Sequence, residues 1–227
     1  MNHDRRAYVG PRIVTDDAVL EEHAVIVRDG RVETVLPRPQ LPSDVSVTDL
    51  SGGYLTAGFI DIHVHGAAGH SYNDGTPAAV AAIGTALLSA GVTTALPTLA
   101  SAPIDALSTA LETLAVTGDT PGPRIPGAHL EGPYFSPAQR GAQDPRALRV
   151  PSDGSVDRLL EHSAAIAMVS FAPELDGARE LTERLVEAGI VAAAGHTDGT
   201  ADDLARCEAA GLSHVIHVFS GQSTTVR

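Results

Sequence analysis

From residue 58 onward, short apolar runs alternate with stretches whose apolar residues recur every three or four positions. The first run, 58–66, reads as a strand. Ile60, Ile62 and Val64 share one face, suited to a helical layer, and Asp61, His63 and His65 share the other. Thr76-Pro77 opens a helix carrying Val80, Ile83 and Leu87 on one side, and Gly91 stops it. The alternation continues with a strand at 92–99 and a helix from Ser101 that lines up Ile104, Leu107, Leu111 and Leu114. A strand at 125–132, a long irregular loop at 133–151 and a short helix at 155–163 follow. Strands at 165–172, 190–197 and 214–220 are separated by helices ending near Gly189 and Gly211.

Residues 1–57 have a different texture. Apolar alternation at 24–28 and 31–35 flanks Asp29-Gly30, a hairpin signal. Pro37, Pro39 and Pro42 break regular structure, 45–50 reads as a strand, and Ser51-Gly52-Gly53 as a turn. Large apolar residues are few, so this segment is expected to pack on something else.

Six strand–helix repeats predict a parallel sheet with right-handed crossovers. The expected fold class is α/β, a partial (β/α)8 TIM barrel with six of eight units over 58–227, preceded by a β segment at 1–57. The region from 58 is shorter than the roughly 250 residues that eight units take. Strands seven and eight are therefore expected to be missing.

Composition narrows the function. A net charge of -13 argues against nucleic acid and anionic membranes as partners. No apolar run reaches the length of a membrane span, and the first residues lack a signal-peptide core. The single cysteine, Cys207, excludes an intrachain disulfide, fits a reducing cytoplasm, and reads as packed and inert. All 15 basic residues are arginine, which excludes a lysine-derived metal ligand or a Schiff base.

The chemistry-bearing residues fall at strand C-termini: His63 and His65 on the first, Glu131 on the third, His196 on the fifth and His217 on the sixth. In a barrel these ends ring one mouth, whereas an open sheet would spread them apart. Convergence is thus expected to require closure. Imidazoles with one carboxylate suit a divalent ion, either two metals sharing a ligand or one with spare positions. Such an ion would lower the pKa of water and polarise a carbonyl. His129 shares a face with Glu131 and is read as a residue behind the ligands. Asp61 orients a ligand histidine or bonds to backbone. His214 is expected to face away from His217, and His3, His23, His70 and His162 are read as surface or structural.

The stretch 58–66 resembles the first barrel strand of the amidohydrolase superfamily. His129-Leu-Glu-Gly-Pro133, Arg140-Gly-Ala-Gln-Asp144, Gly195-His-Thr-Asp198 and His214-Val-Ile-His-Val-Phe219 resemble the N-acetylglucosamine-6-phosphate deacetylase family in order and spacing. His-Leu-Glu-Gly-Pro is the specific part, since His-x-His fits many hydrolases. The resemblance implies metal-dependent removal of acetate from an amino-sugar phosphate. It implies Glu131, His196 and His217 as principal ligands, with His63 and His65 building a second position. Zinc is the implied metal, with iron as the alternative. A homodimer, and a small β-sandwich made from both chain ends, are implied as well.

Where the family reads Asn-Ala after the strand-six histidine, this chain has Ser220-Gly221, and Gln143 stands where the family often has histidine. Gln143 is expected on the sugar, and Ser220, Gly221 and Arg227 near the phosphate. The family's acid/base aspartate ends strand eight, so no residue here is assigned that role and the chain alone is expected to be inactive. Two other readings follow from these departures: an amidohydrolase acting on a cyclic amide or different N-acyl substrate, and a non-catalytic metal-binding remnant.

Overall fold

The computed structural model describes residues 5–117 and 121–222. The chain divides into two compact units, Met1–Gly58 and Phe59–Arg227.

The smaller unit is β structure. Arg5–Val9 pairs antiparallel with His23–Arg28 and parallel with Ser46–Asp49, and Arg31–Pro37 completes a four-stranded sheet. The hairpin turns at Asp29-Gly30, both at positive φ (52° and 74°). This is the backbone that a two-residue loop between twisted strands demands. A three-stranded sheet joins Arg12–Val14 to Val19–Leu20 and Tyr54–Leu55. The core is small, Ala7, Ile26 and Val45 against Leu36 and Leu41.

The larger unit carries six parallel strands in chain order: β1 (Phe59–Val64), β2 (Val92–Ala100), β3 (Ala128–Glu131), β4 (Ile166–Phe171), β5 (Val191–Ala194) and β6 (His214–Val215). Helices α1 (Pro77–Ser89), α2 (Ile104–Val116), α3 (Ser155–Leu160), α4 (Ala178–Glu187) and α5 (Ala201–Ala209) lie in the connections. Strand neighbours that are also chain neighbours give a sheet that curls one way, a partial barrel. Ile83, Leu99, Leu107, Leu111, Leu130, Phe171 and Leu185 fill the space between sheet and helices.

Local chemistry sets the helix starts. The Thr76 hydroxyl accepts the Ala79 N–H ahead of Pro77, and Thr200 and Asp203 form a reciprocal capping box on α5. Helix α2 begins at Ile104 rather than Ser101, because the Ser101 N–H is bonded to Gln143 Oε1 and Pro103 occupies the cap.

Three expectations need correction. Val64 packs against the core, but Ile60 and Ile62 are 71% and 51% exposed. Strand β1 is an edge, bonded only to β2, and no helix among the described residues covers that face. Strands β5 and β6 are shorter than their apolar runs. They stop because the chain turns at His196 and His217, both near φ 49°. Closure is also not needed for convergence: β1 and β6 are opposite edges of the sheet, yet the His63 and His217 rings lie 4.9 Å apart. No helix among the described residues is long and apolar enough to cross a membrane.

Candidate metal centre

The strand register brings one set of C-terminal ends to a common rim, pairing Ala100 with Glu131, Glu131 with Ser170, Phe171 with Ala194 and Ala194 with Val215. Glu131 sits at the middle of that rim, 2% exposed. Its Oε1 lies 2.6 Å from His217 Nε2, 3.2 Å from His196 Nε2 and 3.5 Å from His63 Nε2. Its Oε2 lies 3.0 Å from His65 Nε2 and accepts the Gln143 amide at 2.8 Å. Donor atoms of His63, Glu131 and His217 fall within 4.8 Å of one another.

Backbone geometry delivers these side chains. Past β1 the chain doubles back at Gly66, where a Cβ would stand 2.0 Å from the His70 carbonyl. At Gly195 a Cβ would meet Ile216 at 2.2 Å, so only glycine lets the ends of β5 and β6 approach this closely. His196 and His217 then take the left-handed conformation, uncommon for residues with a side chain. The His217 turn is held by the N–H groups of Ser220 and Gly221 and the Ser220 hydroxyl, all donating to the His217 carbonyl. Ser220 and Gly221 are also the residues expected near a phosphate. Arg227 lies outside the described residues.

Two histidines have a fixed tautomer. His65 Nδ1 donates to the Thr98 carbonyl at 3.2 Å, and His196 Nδ1 to the Gln139 carbonyl at 2.9 Å. A carbonyl only accepts, so each Nδ1 carries the proton. Each Nε2 therefore aims a lone pair at a carboxylate oxygen. Lone pair against anion is repulsive unless a positive charge lies between them. Without metal, a proton serves. The bond to Glu131 raises the His65 pKa above its ordinary value; burial pulls His196 down, but its bonds to Glu131 and Gln139 raise it overall. Burial pushes the Glu131 carboxyl up, yet bonds from His196, His65 and His217 hold it well below the usual carboxylate range. The donor set fits a divalent cation, which would take the place of those protons.

The remaining expected residues lie around this cluster. Asp61 Oδ1 accepts the backbone N–H of His63. His129 is fully buried, with Nε2 2.6 Å from the Ser170 hydroxyl and its ring edge-on to His63 at 5.0 Å. Burial lowers its pKa to about 3, with the neighbouring His63 adding to the effect. Gln143 is buried, with both ends of its amide engaged. Phe135 stacks on His196 at 4.4 Å and shields one ring face. Sequence reading did not single out Phe135, Thr98, Gln139 or Ser170. Thr98, a polar residue in an apolar run, carried a signal; Gln139 acts through its backbone carbonyl, which no residue type announces.

The His129 shift sets a pH dependence. A base whose folded pKa lies below its unfolded one makes the unfolded state bind more protons between the two values, so stability rises with pH through that window. In chelator, the unfolding free energy is expected to fall as pH drops from 6.5 towards 3, with His129 contributing up to about 1.4 kcal/mol per pH unit. Denaturant melts of the parent and His129→Gln at several pH values measure it. The variant should show the shallower slope, and equal slopes would mean that His129 titrates normally.

Residues 7–55 match the NagA composite domain, and residues 54–223 match the amidohydrolase family. The N-acetylgalactosamine-6-phosphate deacetylase of Escherichia coli O157:H7 is 30% identical over 226 residues, 98% of this chain and 58% of its own length. The N-acetylglucosamine-6-phosphate deacetylase of Bacillus subtilis (strain 168) is 32% identical over 219 residues, 93% of this chain and 55% of its own length. The crystal structure of N-acetylglucosamine-6-phosphate deacetylase from Pasteurella multocida superposes with a TM-score of 0.85 at 27% identity, over 93% of this chain and 56% of that one. The chain spans about half the length of the curated relatives it matches. With residues 54–223 matched end to end across the curled sheet and its histidine–carboxylate rim, the chain belongs to the amidohydrolase family.

Proposed function

We propose that this chain is the metal-binding part of a hydrolase that removes acetate from an N-acetylhexosamine 6-phosphate. The observation that carries the reading is the pair of fixed tautomers, His65 and His196, aiming Nε2 lone pairs at one buried carboxylate. Glu131, His196 and His217 would hold one ion, zinc or iron, and His63 with His65 a second. When bound, the ion lowers the pKa of water and polarises the acetamide carbonyl. The protein's share is orientation: Thr98 and Gln139 set the imidazoles, Phe135 packs against His196, and His129 stays neutral behind His63. The relatives' printed names differ at one sugar carbon, glucosamine against galactosamine, so the proposal names the hexosamine class.

A second reading, an amidohydrolase acting on a different N-acyl or cyclic amide, draws support from the Ser220-Gly221 turn. Its donors serve the His217 carbonyl, which leaves fewer for a phosphate.

The test has two arms. Metal analysis should find one or two divalent ions per chain, and absence of bound metal would remove both readings. In a version joined to a segment matching the rest of its relatives' length, acetate release should then favour N-acetylglucosamine 6-phosphate or its galactosamine counterpart over the unphosphorylated sugars by at least tenfold in kcat/KM. Equal values would take the phosphate out of the proposal and leave the second reading.

A further inference from the structure

We propose that Gln143 is a positioning residue for the Glu131 carboxylate, not a sugar contact; this rests on the metal reading above. Gln143 lies in the irregular loop between β3 and α3, 8% exposed. Its Oε1 accepts the backbone N–H of Ser101, the residue after β2, at 2.8 Å. Its Nε2 donates to Glu131 Oε2, at the end of β3, also at 2.8 Å. The partners fix which end of the amide is which, because a backbone N–H only donates and a carboxylate only accepts.

The amide therefore spans the ends of two adjacent strands. Its donor sets the rotation of the carboxylate about its last torsion. With Oε2 held by Gln143 and facing His65, Oε1 is turned towards His63, His196 and His217. A carboxylate free to rotate would split its population between orientations, and each ion position would see the right oxygen only part of the time.

The same loop acts on a second ligand. The Gln139 carbonyl fixes the His196 tautomer, and Ser136 N–H donates to the His196 carbonyl at 3.0 Å. The loop is fastened to itself by Gln143 N–H to the Arg140 carbonyl and Arg149 N–H to the Pro133 carbonyl. One connection thus orients both the carboxylate at the end of β3 and an imidazole beyond the end of β5.

The experiment is zinc affinity, read by competition with a chromophoric chelator on the purified chain. Gln143→Met keeps the length of the side chain and removes both hydrogen bonds. Gln143→Asn stays polar but is one methylene too short to reach both partners, and guards against a Met variant that fails to fold. Each is expected to bind zinc about 10–100-fold more weakly than the parent, the usual effect of losing a partner that orients a ligand. A sugar contact would instead leave zinc affinity alone and raise only KM, so dissociation constants within twofold of the parent in both variants overturn the inference. A parent chain that binds no zinc would overturn the metal reading itself.

Discussion

Glu131→Gln is expected to weaken divalent-metal binding at least about 100-fold, or about 2.7 kcal/mol, while leaving the chain folded. The substitution keeps shape and volume and removes one charge. That charge is the common partner of four imidazole nitrogens within 3.5 Å, so no other change to the cluster touches as many contacts. An amide also turns N–H groups towards a site that needs lone pairs. The fold should survive, because the neutral isostere relieves the desolvation of a buried carboxylate and the imidazoles left behind can give up their protons rather than stay as unpaired charges. Calorimetric titration with zinc, beside a circular dichroism melt in chelator, separates the two effects. Affinity within tenfold of the parent in a folded variant would displace Glu131 from the centre.

The chain alone is expected to release acetate at least about 100-fold more slowly than a version joined to a segment matching the rest of its relatives' length. Cleaving an amide needs a group that takes a proton and returns it to the leaving amine, an effect worth about 10²–10⁴ in rate. Among the described residues, no second carboxylate joins Glu131 at the four histidines. Asp61 accepts the His63 backbone N–H, Asp198 accepts the Gln139 amide, and Glu174 accepts from Thr197 and Asp198. His129 is held neutral and bonded to Ser170. The sheet is open as well. Phe59 and Ile60 are 67% and 71% exposed at one edge and Phe219 97% at the other, so self-association should accompany the low rate. Acetate assays on both proteins, with light scattering on each, measure this. Comparable rates from a monomeric short chain would show that the catalytic set closes within these residues.

Much of the site was legible because its residues sit where simple periodicity puts them. The two-residue spacing of His63 and His65 survives as a shared face, and Glu131 stands at the end of a strand in which Ala128 and Leu130 alternate with His129 and Glu131. The Asp29-Gly30 hairpin and the Thr76-Pro77 helix start follow from local backbone preference alone. The errors arise where tertiary contact overrides a local pattern. The apolar runs at 190–197 and 214–220 look like full strands, but left-handed turns at His196 and His217 end them early, and positive φ at a histidine leaves no mark in composition. Ile60 and Ile62 have the alternation of a covered face and lack the cover. From sequence alone Gln143 is expected on the sugar; that both ends of its amide bond within the chain follows from the close approach of β2 and β3, which the sequence does not announce.

The proposed ligands come from both edges of the curled sheet, His63 from β1 and His217 beyond β6, and this bears on when such a centre could form during folding. Each strand pairs with its neighbour in the chain, so the sheet can grow by adding one strand–helix unit at a time, closing only short loops. The meeting of His63 with His217 closes the longest loop of all and comes only after every intervening unit is in place. An ion held by Glu131, His196 and His217 would therefore bind only once β5 and β6 have joined the sheet. Its free energy would then be added to the native state late, and is expected to show itself in slower unfolding rather than faster folding.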